Sequence, residues 1–330
     1  MQKIKSIDAL PYRSANGCES LLVRVESDGG IIGVGEATLF DRNNEVGDCI
    51  NAVVAPNLIG RDLSCANYIE SKLFSWHNAS APLRHAYSGV EIACWDALGK
   101  SLGLPIYKLL GGKALSTLHT TARVGSAPVE RHAERIVVDV DEHICETMAQ
   151  ISIVHKASEK PLIVDLRGVI PEKDLFQILR FLEKVDPYYT VGLLNEDNTD
   201  MWSSIAKQAR IPLAARVSSR FDASSLIEDA RMSIVEADIL KVGGIGAMKL
   251  LASYAETYYI KIASADAGGS VMMAAAAHAL YTCANAYGVD HPKSNYPELV
   301  GPLTSAIPGE APGLGIEIDW NKLYTQERNR

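Results

Sequence analysis

"PLIVDLRGVIPEKDLFQILRFLEKV", residues 161–185, holds the unit that the second half of the chain repeats. A short apolar run, Leu162 to Val164, ends in Asp165, as a parallel strand covered on both faces does. A segment with helical, amphipathic patterning follows. Working outward, the same alternation recurs. Apolar runs stand at LHTTARV (118–124), RIVVDV (135–140), TVGLLNE (190–196), IPLAAR (211–216), ADILKV (237–242), IKIASAD (260–266) and AYGVD (286–290). Helix-like patterns separate most of them. Eight strands with intervening helices predict a (β/α)8-type barrel rather than an open sheet. Between the first two strands only SAPVERHAE remains, too little for an ordinary barrel helix, so the predicted barrel is modified and one helix short there.

The first part has another texture. KIKSIDALPYR, CESLLVRVES and IIGVGEA alternate like three strands, DGG turning the chain before the third. Helical periodicity runs from about Val46 to Leu110 and stops at Gly111 and Gly112. Within it Val90, Ala93, Cys94, Ala97 and Leu98 form one stripe, whose small members permit close packing. The tail, GPLTSAIPGEAPGLGIEID, is loop-rich and leaves the barrel.

Composition sets limits. The 330 residues are 47% hydrophobic and 22% charged, enough for a large core in more than one domain. A net charge of −8 with no basic run argues against nucleic acid and anionic membranes as partners. No apolar run reaches membrane-spanning length, and the first residues alternate rather than form a signal core. Six cysteines without CxxC or zinc spacing suit buried thiols in a reducing cytoplasm.

Strand ends carry the candidate site. Asp165, Glu196, Asp266 and Asp290 close apolar strands, and carboxylates aimed from successive strands at one point make an oxygen-rich Mg²⁺ site. The other reading is that such residues cap the next helix or stay solvated. Arg216 ends its strand with a guanidinium, either facing the site or held in an outward salt bridge. Asp238 and Lys241, three apart, cannot both face inward from one strand unless it ends between them.

GVGEA (33–37), ACWDALGK (93–100), KVGGIGAMK (241–249) and GLGIEID (313–319) together resemble the enolase superfamily. More narrowly, the chain is similar to the mandelate racemase and muconate lactonizing enzyme group, near its acid-sugar dehydratases. The resemblance implies an α+β capping domain over residues 1–115, a barrel over 116–300, and a C-terminal segment, 301–330, that returns to the cap. It implies one Mg²⁺ that stabilises the enediolate formed when a proton α to a carboxylate is removed. Asp165 and Glu196 fall at the first two metal ligands. The third belongs in a Gly-Glu or Asp-Glu pair after PLAA, and the pair here is Arg216-Val217. Val137 and Val138 stand where a Lys-x-Lys base is common, and Ala265 where a dyad histidine would partner Asp238.

These departures predict weak or absent Mg²⁺ binding. They also predict impairment of the usual racemase or dehydratase reaction on a hydroxy acid or acid sugar; the alternative is a non-catalytic ligand-binding or regulatory homologue that keeps only the fold. Asp238 and Lys241 are the candidates for surviving catalysis, with Arg216, Asp266 and Asp290 as candidate contacts to a small carboxylate or acid-sugar ligand. The resemblance further implies a homo-oligomer.

Overall fold

The computed structural model describes residues 2–14, 17–75, 79–123, 135–139, 143–194, 199–229, 232–265, 268–290 and 307–323. Three antiparallel strands open the chain: β1 (Ile4–Arg13), β2 (Glu19–Ser27) and β3 (Ile32–Glu36), paired in that order. Helices follow: α1 (Asn43–Cys49), continued through a π-helical turn into α2 (Ala55–Leu58), then α3 (Ala66–Ser75), α4 (Ala81–Leu102) and α5 (Ile106–Leu109). Gly103, at φ 66°, ends α4 in the left-handed conformation that a residue without a Cβ adopts cheaply.

The small-residue stripe has the role its spacing predicts. Val90, Ala93, Cys94 and Ala97 of α4 are buried with Val23, Val25 and Val46 in the cap's own core, Leu98 packing at its edge. The approach of α4 to β3 is close enough that a Cβ on Gly33 would overlap the Ala93 carbonyl oxygen.

The barrel closes through β4 (Thr120–Arg123), β5 (Arg135–Asp139), β6 (Leu162–Asp165), β7 (Tyr189–Val191), β8 (Leu213–Val217), β9 (Ile234–Ala237), β10 (Lys261–Ser264) and β11 (Ala286–Asp290), all parallel. Around it lie α6 (Ile144–Ala157), α7 (Leu175–Val185), α8 (Thr199–Gln208), α9 (Arg220–Asp229), α10 (Ile239–Val242), α11 (Ile245–Thr257) and α12 (Ser270–Leu280). Inward positions are filled by Val137, Ile163, Tyr189, Val191, Ala214, Ile234 and Ala263. Their neighbours Val138, Val164, Ala215, Val217 and Val235 pack outward in the larger core shared with the helices.

One strand differs from its sequence reading. The sixth barrel strand is Ile234–Ala237, not ADILKV, and Ile239–Val242 forms the short helix α10. The apolar run IL-V fits either state. Asp238 decides it, because its Oδ1 accepts the Leu240 N–H at 2.9 Å and caps the helix. The strand thus ends before both Asp238 and Lys241. The SAPVERHAE segment and residues 291–306 lie outside the described residues.

The tail docks on the cap helix. Leu314 N–H donates to Asp96 Oδ1 at 2.7 Å, and Gly313 forms a β-bridge with Pro105. Lys100 reaches both Asp96 (2.8 Å) and the Ile316 carbonyl (3.3 Å). Among the described residues no helix is long and apolar enough to cross a membrane.

Candidate active site

The C-terminal mouth of the barrel gathers charges from five strands. Arg216 is placed inward by alternation with Ala214 on β8, and in the sheet register it stands beside Glu236 of β9. Its Nη2 donates to Glu236 Oε2 at 2.8 Å and to Asp165 Oδ2 at 3.0 Å. Arg123 of β4 approaches the same Asp165 oxygen at 3.5 Å, while Asp165 Oδ1 accepts the Arg167 N–H at 3.0 Å. Tyr189 of β7 donates to Glu236 Oε1 at 2.8 Å. On the opposite side Asp290 accepts from Thr121 Oγ1, and its own N–H donates to Ser264 Oγ at 2.9 Å.

Electrostatics follow from burial and pairing. Burial would raise the Asp165 carboxyl, but Arg216 overcomes it and holds the group below its ordinary value. Burial opposes the charge on Arg216, and the carboxylates of Glu236 and Asp165 raise it above its ordinary value instead. Asp290 is pushed up to about 7, first by burial and then by the Glu236 charge. Burial, with Glu236 and Asp290 nearby, raises the Tyr189 phenol well above its usual value.

The cap closes this mouth. Leu39, Phe40 and His85 from the cap line a cavity of about 300 Å³ together with Arg216, Asp238, Lys241 and Ala265. Helix α4 is pinned over it by Ser88 Oγ, which donates to the Leu240 carbonyl at 2.7 Å. Glu91, just under one turn along, accepts the N–H groups of Ile245 and Gly246 at 2.9 Å each, at the start of α11. A helix N-terminus favours a carboxylate there. Glu36 likewise accepts the Met272 N–H at the start of α12, at 3.3 Å.

The sequence-predicted residues therefore divide. Asp165, Arg216 and Asp290 meet in one charged layer, and Asp238 and Lys241 stand at its rim. Glu196 and Asp266 lie outside the described residues. Arg216 takes the site-facing role rather than an outward salt bridge. Val217 faces the helices and not the mouth, so of this pair Arg216 is the residue that points into the mouth. Val137 faces the barrel interior and Val138 the outer layer. His278 is a buried helix histidine as its sequence context indicates, its Nδ1 accepting the Tyr107 N–H at 3.1 Å.

Glu236, Tyr189, Arg123, Thr121 and His85 escaped the sequence reading. Glu236 had a signal, a lone acidic residue inside the apolar run IVEA; His85 had none, since only folding brings the cap helix to the mouth.

The sequence profile described as "Enolase C-terminal domain-like" matches residues 121–322. The profile of the "Mandelate racemase / muconate lactonizing enzyme, N-terminal domain" matches residues 10–111. The chain belongs to the mandelate racemase/muconate lactonizing enzyme group of the enolase superfamily. Among curated relatives of this enolase-superfamily chain is the D-galactonate dehydratase of Variovorax paradoxus (strain S110), 24% identical over 94% of this chain and 91% of its own length. That of Pectobacterium atrosepticum is 24% identical with the same coverage, 94% and 91%. Among solved structures, muconate cycloisomerase from Pseudomonas fluorescens superposes with a TM-score of 0.88 at 22% identity, covering 98% of each chain. An enolase from Pantoea ananatis with bound D-gluconate and Mg superposes with a TM-score of 0.87 at 20% identity, covering 98% of this chain and 94% of its own. The enolase-superfamily fold is thereby shared, with an acid-sugar dehydratase- or racemase-like character.

Proposed function

We propose that this chain binds a small carboxylate or acid-sugar ligand at the cap–barrel mouth and is impaired in the usual Mg²⁺-dependent removal of a proton α to the carboxylate. The observation that carries the reading is the Arg216 guanidinium between Asp165 and Glu236. Among the described residues, the carboxylates of the mouth are committed to partners other than a divalent cation, which supports this reading. Both oxygens of Asp165 are already engaged by Arg216, Arg123 and the Arg167 N–H. Among the described residues no group of three or more His, Cys, Asp or Glu is arranged to hold a metal. A cation entering beside Arg216 would meet a repulsion of about 4 kcal/mol per unit charge at ~4 Å and an effective dielectric of 20. Mg²⁺ binding is accordingly weak or absent in this reading, and no step of chemistry is routed through it.

Ligand recognition is supported by the relatives. D-Galactonate dehydratases match along nearly the whole chain, and the Pantoea ananatis structure holds D-gluconate. The division into a cap (1–115), a barrel (116–300) and a returning segment (301–330) is part of the same proposal, as are a homo-oligomer and a cytoplasmic location suited to six cysteines that form no disulfide.

The experiment is proton exchange in D₂O over a panel of hydroxy acids and acid sugars, with Mg²⁺ and with EDTA, beside calorimetric titration of the same compounds. The expected outcome is carboxylate binding that EDTA does not remove, without Mg²⁺-dependent exchange. Rapid exchange that requires Mg²⁺ would overturn the reading.

A further inference from the structure

The Sγ atoms of Cys65 and Cys94, 29 residues apart in the chain, lie 3.9 Å from each other in the core of the cap. Their surroundings differ. Cys94 sits on the buried stripe of α4 and is wholly inaccessible. Cys65 is 7% exposed, between exposed Ser64 and half-buried Ala66. It stands immediately before α3, and its carbonyl oxygen accepts the Ile69 N–H at 3.0 Å in the first turn of that helix. A helix N-terminus favours the thiolate form of a cysteine placed there. Hydrogen bonding with Cys94, helped by the Arg61 charge, outweighs burial and holds the Cys65 thiol below its ordinary value. The same hydrogen bond, with burial and the Glu91 charge, pushes the Cys94 thiol well above its own. One sulfur is thus the nucleophile at the edge of the core, and the other waits behind it.

We propose that Cys65 and Cys94 are an oxidative modification site, where a hydroperoxide such as hydrogen peroxide converts the two thiols into a disulfide that fastens the start of α3 to α4. The Cys65 sulfur attacks one peroxide oxygen and the O–O bond breaks. The leaving hydroxide takes the proton of the Cys65 thiol and departs as water, and Cys65 becomes a sulfenic acid. The Cys94 sulfur then attacks the Cys65 sulfur, the S–O bond breaks, and the hydroxyl leaves with the Cys94 proton as a second water. Two thiols are oxidised by two electrons, and one peroxide is reduced to two waters. Excess thiol reverses the product, as suits a transient disulfide in a reducing compartment.

A disulfide brings its sulfurs to about 2 Å, so the pair must close by roughly the same distance. Helix α4 is fixed on both sides of Cys94. Glu91 is held by the N–H groups of Ile245 and Gly246, and Asp96 by those of Val34 and Leu314. The movement falls to the segment before α3, where Ile59, Gly60, Arg61, Asp62 and Ser64 are exposed.

The test treats the reduced full-length chain with hydrogen peroxide, blocks the remaining thiols with N-ethylmaleimide in denaturant, and maps the digest by mass spectrometry. At the dose that oxidises the exposed Cys145, a linked Cys65–Cys94 peptide pair is expected, which dithiothreitol returns to two free thiols. The linked chain is expected to melt several degrees above the reduced one, a shift that Cys65→Ser does not show. In Cys94→Ala the Cys65 sulfenic acid has no second sulfur to meet and is expected to persist, trapped by dimedone. If that variant does not fold, the wild-type peptide map and melt decide. Cys65 and Cys94 both still free at the dose that oxidises Cys145 would overturn the proposal. So would a link from Cys65 to another cysteine, a link that forms only in denaturant, or a linked chain with an unchanged Tm.

Discussion

Arg216 on β8 reaches past β7 to Asp165 at the end of β6, its Nη2 3.0 Å from Oδ2. A cation permanently attached to the chain thus sits among the carboxylates of the mouth. Removing it leaves the nearly inaccessible side chain of Glu236, 4% exposed, with no cation among the described residues, and that of Asp165, 2% exposed, with only the more distant Arg123. Arg216→Ala is expected to lose about 3–5 kcal/mol of stability, as does breaking other buried pairs from one side. The same variant is expected to gain a response to Mg²⁺, read as a rise in Tm that the wild-type protein does not show. Identical Mg²⁺ responses in the two proteins would argue against Arg216 as the excluding charge.

Val217 lies in the layer between β8 and the helices, with 0% exposure. Val217→Glu is therefore expected to bury an unpaired carboxylate rather than supply a metal ligand, with loss of several kcal/mol or of soluble protein. Thermal melts with and without Mg²⁺ check this. A folded Val217→Glu protein that binds Mg²⁺ would show that position 217 faces the mouth.

Two buried carboxyls are pushed up to about 7, Glu91 by burial and Asp290 by burial and then the Glu236 charge. Their unfolded values are near 4.5 and 3.8, so between about pH 4 and 7 the folded chain holds more protons than the unfolded one. The stability that these two carboxyls contribute falls as pH rises through that window, and the buried imidazoles of His278, lowered to about 4 by burial, and of His85, also lowered by burial, partly oppose it. Asp165 works in the opposite direction, its lowered value making stability that is lost only on stronger acidification. Urea unfolding at pH 5 and pH 8 is expected to give the larger free energy at pH 5, and Glu91→Gln to flatten the difference. A larger free energy at pH 8 would contradict these assignments.

Gly33→Ala places a methyl against the Ala93 carbonyl oxygen, and neither the β3 nor the α4 backbone can give way alone. A drop in Tm of several degrees is expected, because overpacking of this kind typically costs 1–3 kcal/mol. A melt unchanged within a degree would mean that α4 moves freely over the sheet.

Much of the barrel was legible because each strand is an apolar run cut off by a charge, and Asp165, Arg216 and Asp290 were visible as those charges. The sixth strand was misplaced by three residues because Ile239, Leu240 and Val242 are as apolar as Ile234 and Val235, and only the cap made by Asp238 separates helix from strand. That slip hid Glu236, the partner of Arg216. His85 was out of reach for a different reason. Its place at the mouth follows from how α4 lies across the barrel, held by Ser88 and Glu91, and no local pattern encodes that crossing.

The letters that mark kinship in this chain sit at its fastenings. Asp96 in ACWDALGK holds Val34 and Leu314 by their N–H groups at 2.8 and 2.7 Å. Gly244 in KVGGIGAMK leaves room for the Glu91 carboxylate, and Gly313 in GLGIEID leaves room for Asp96. None of these residues lines the mouth cavity. Ancestry is thus written in the joinery between cap, barrel and tail, while the workbench at the mouth is lined by other residues. A lineage can exchange those residues and still be recognised by its joints.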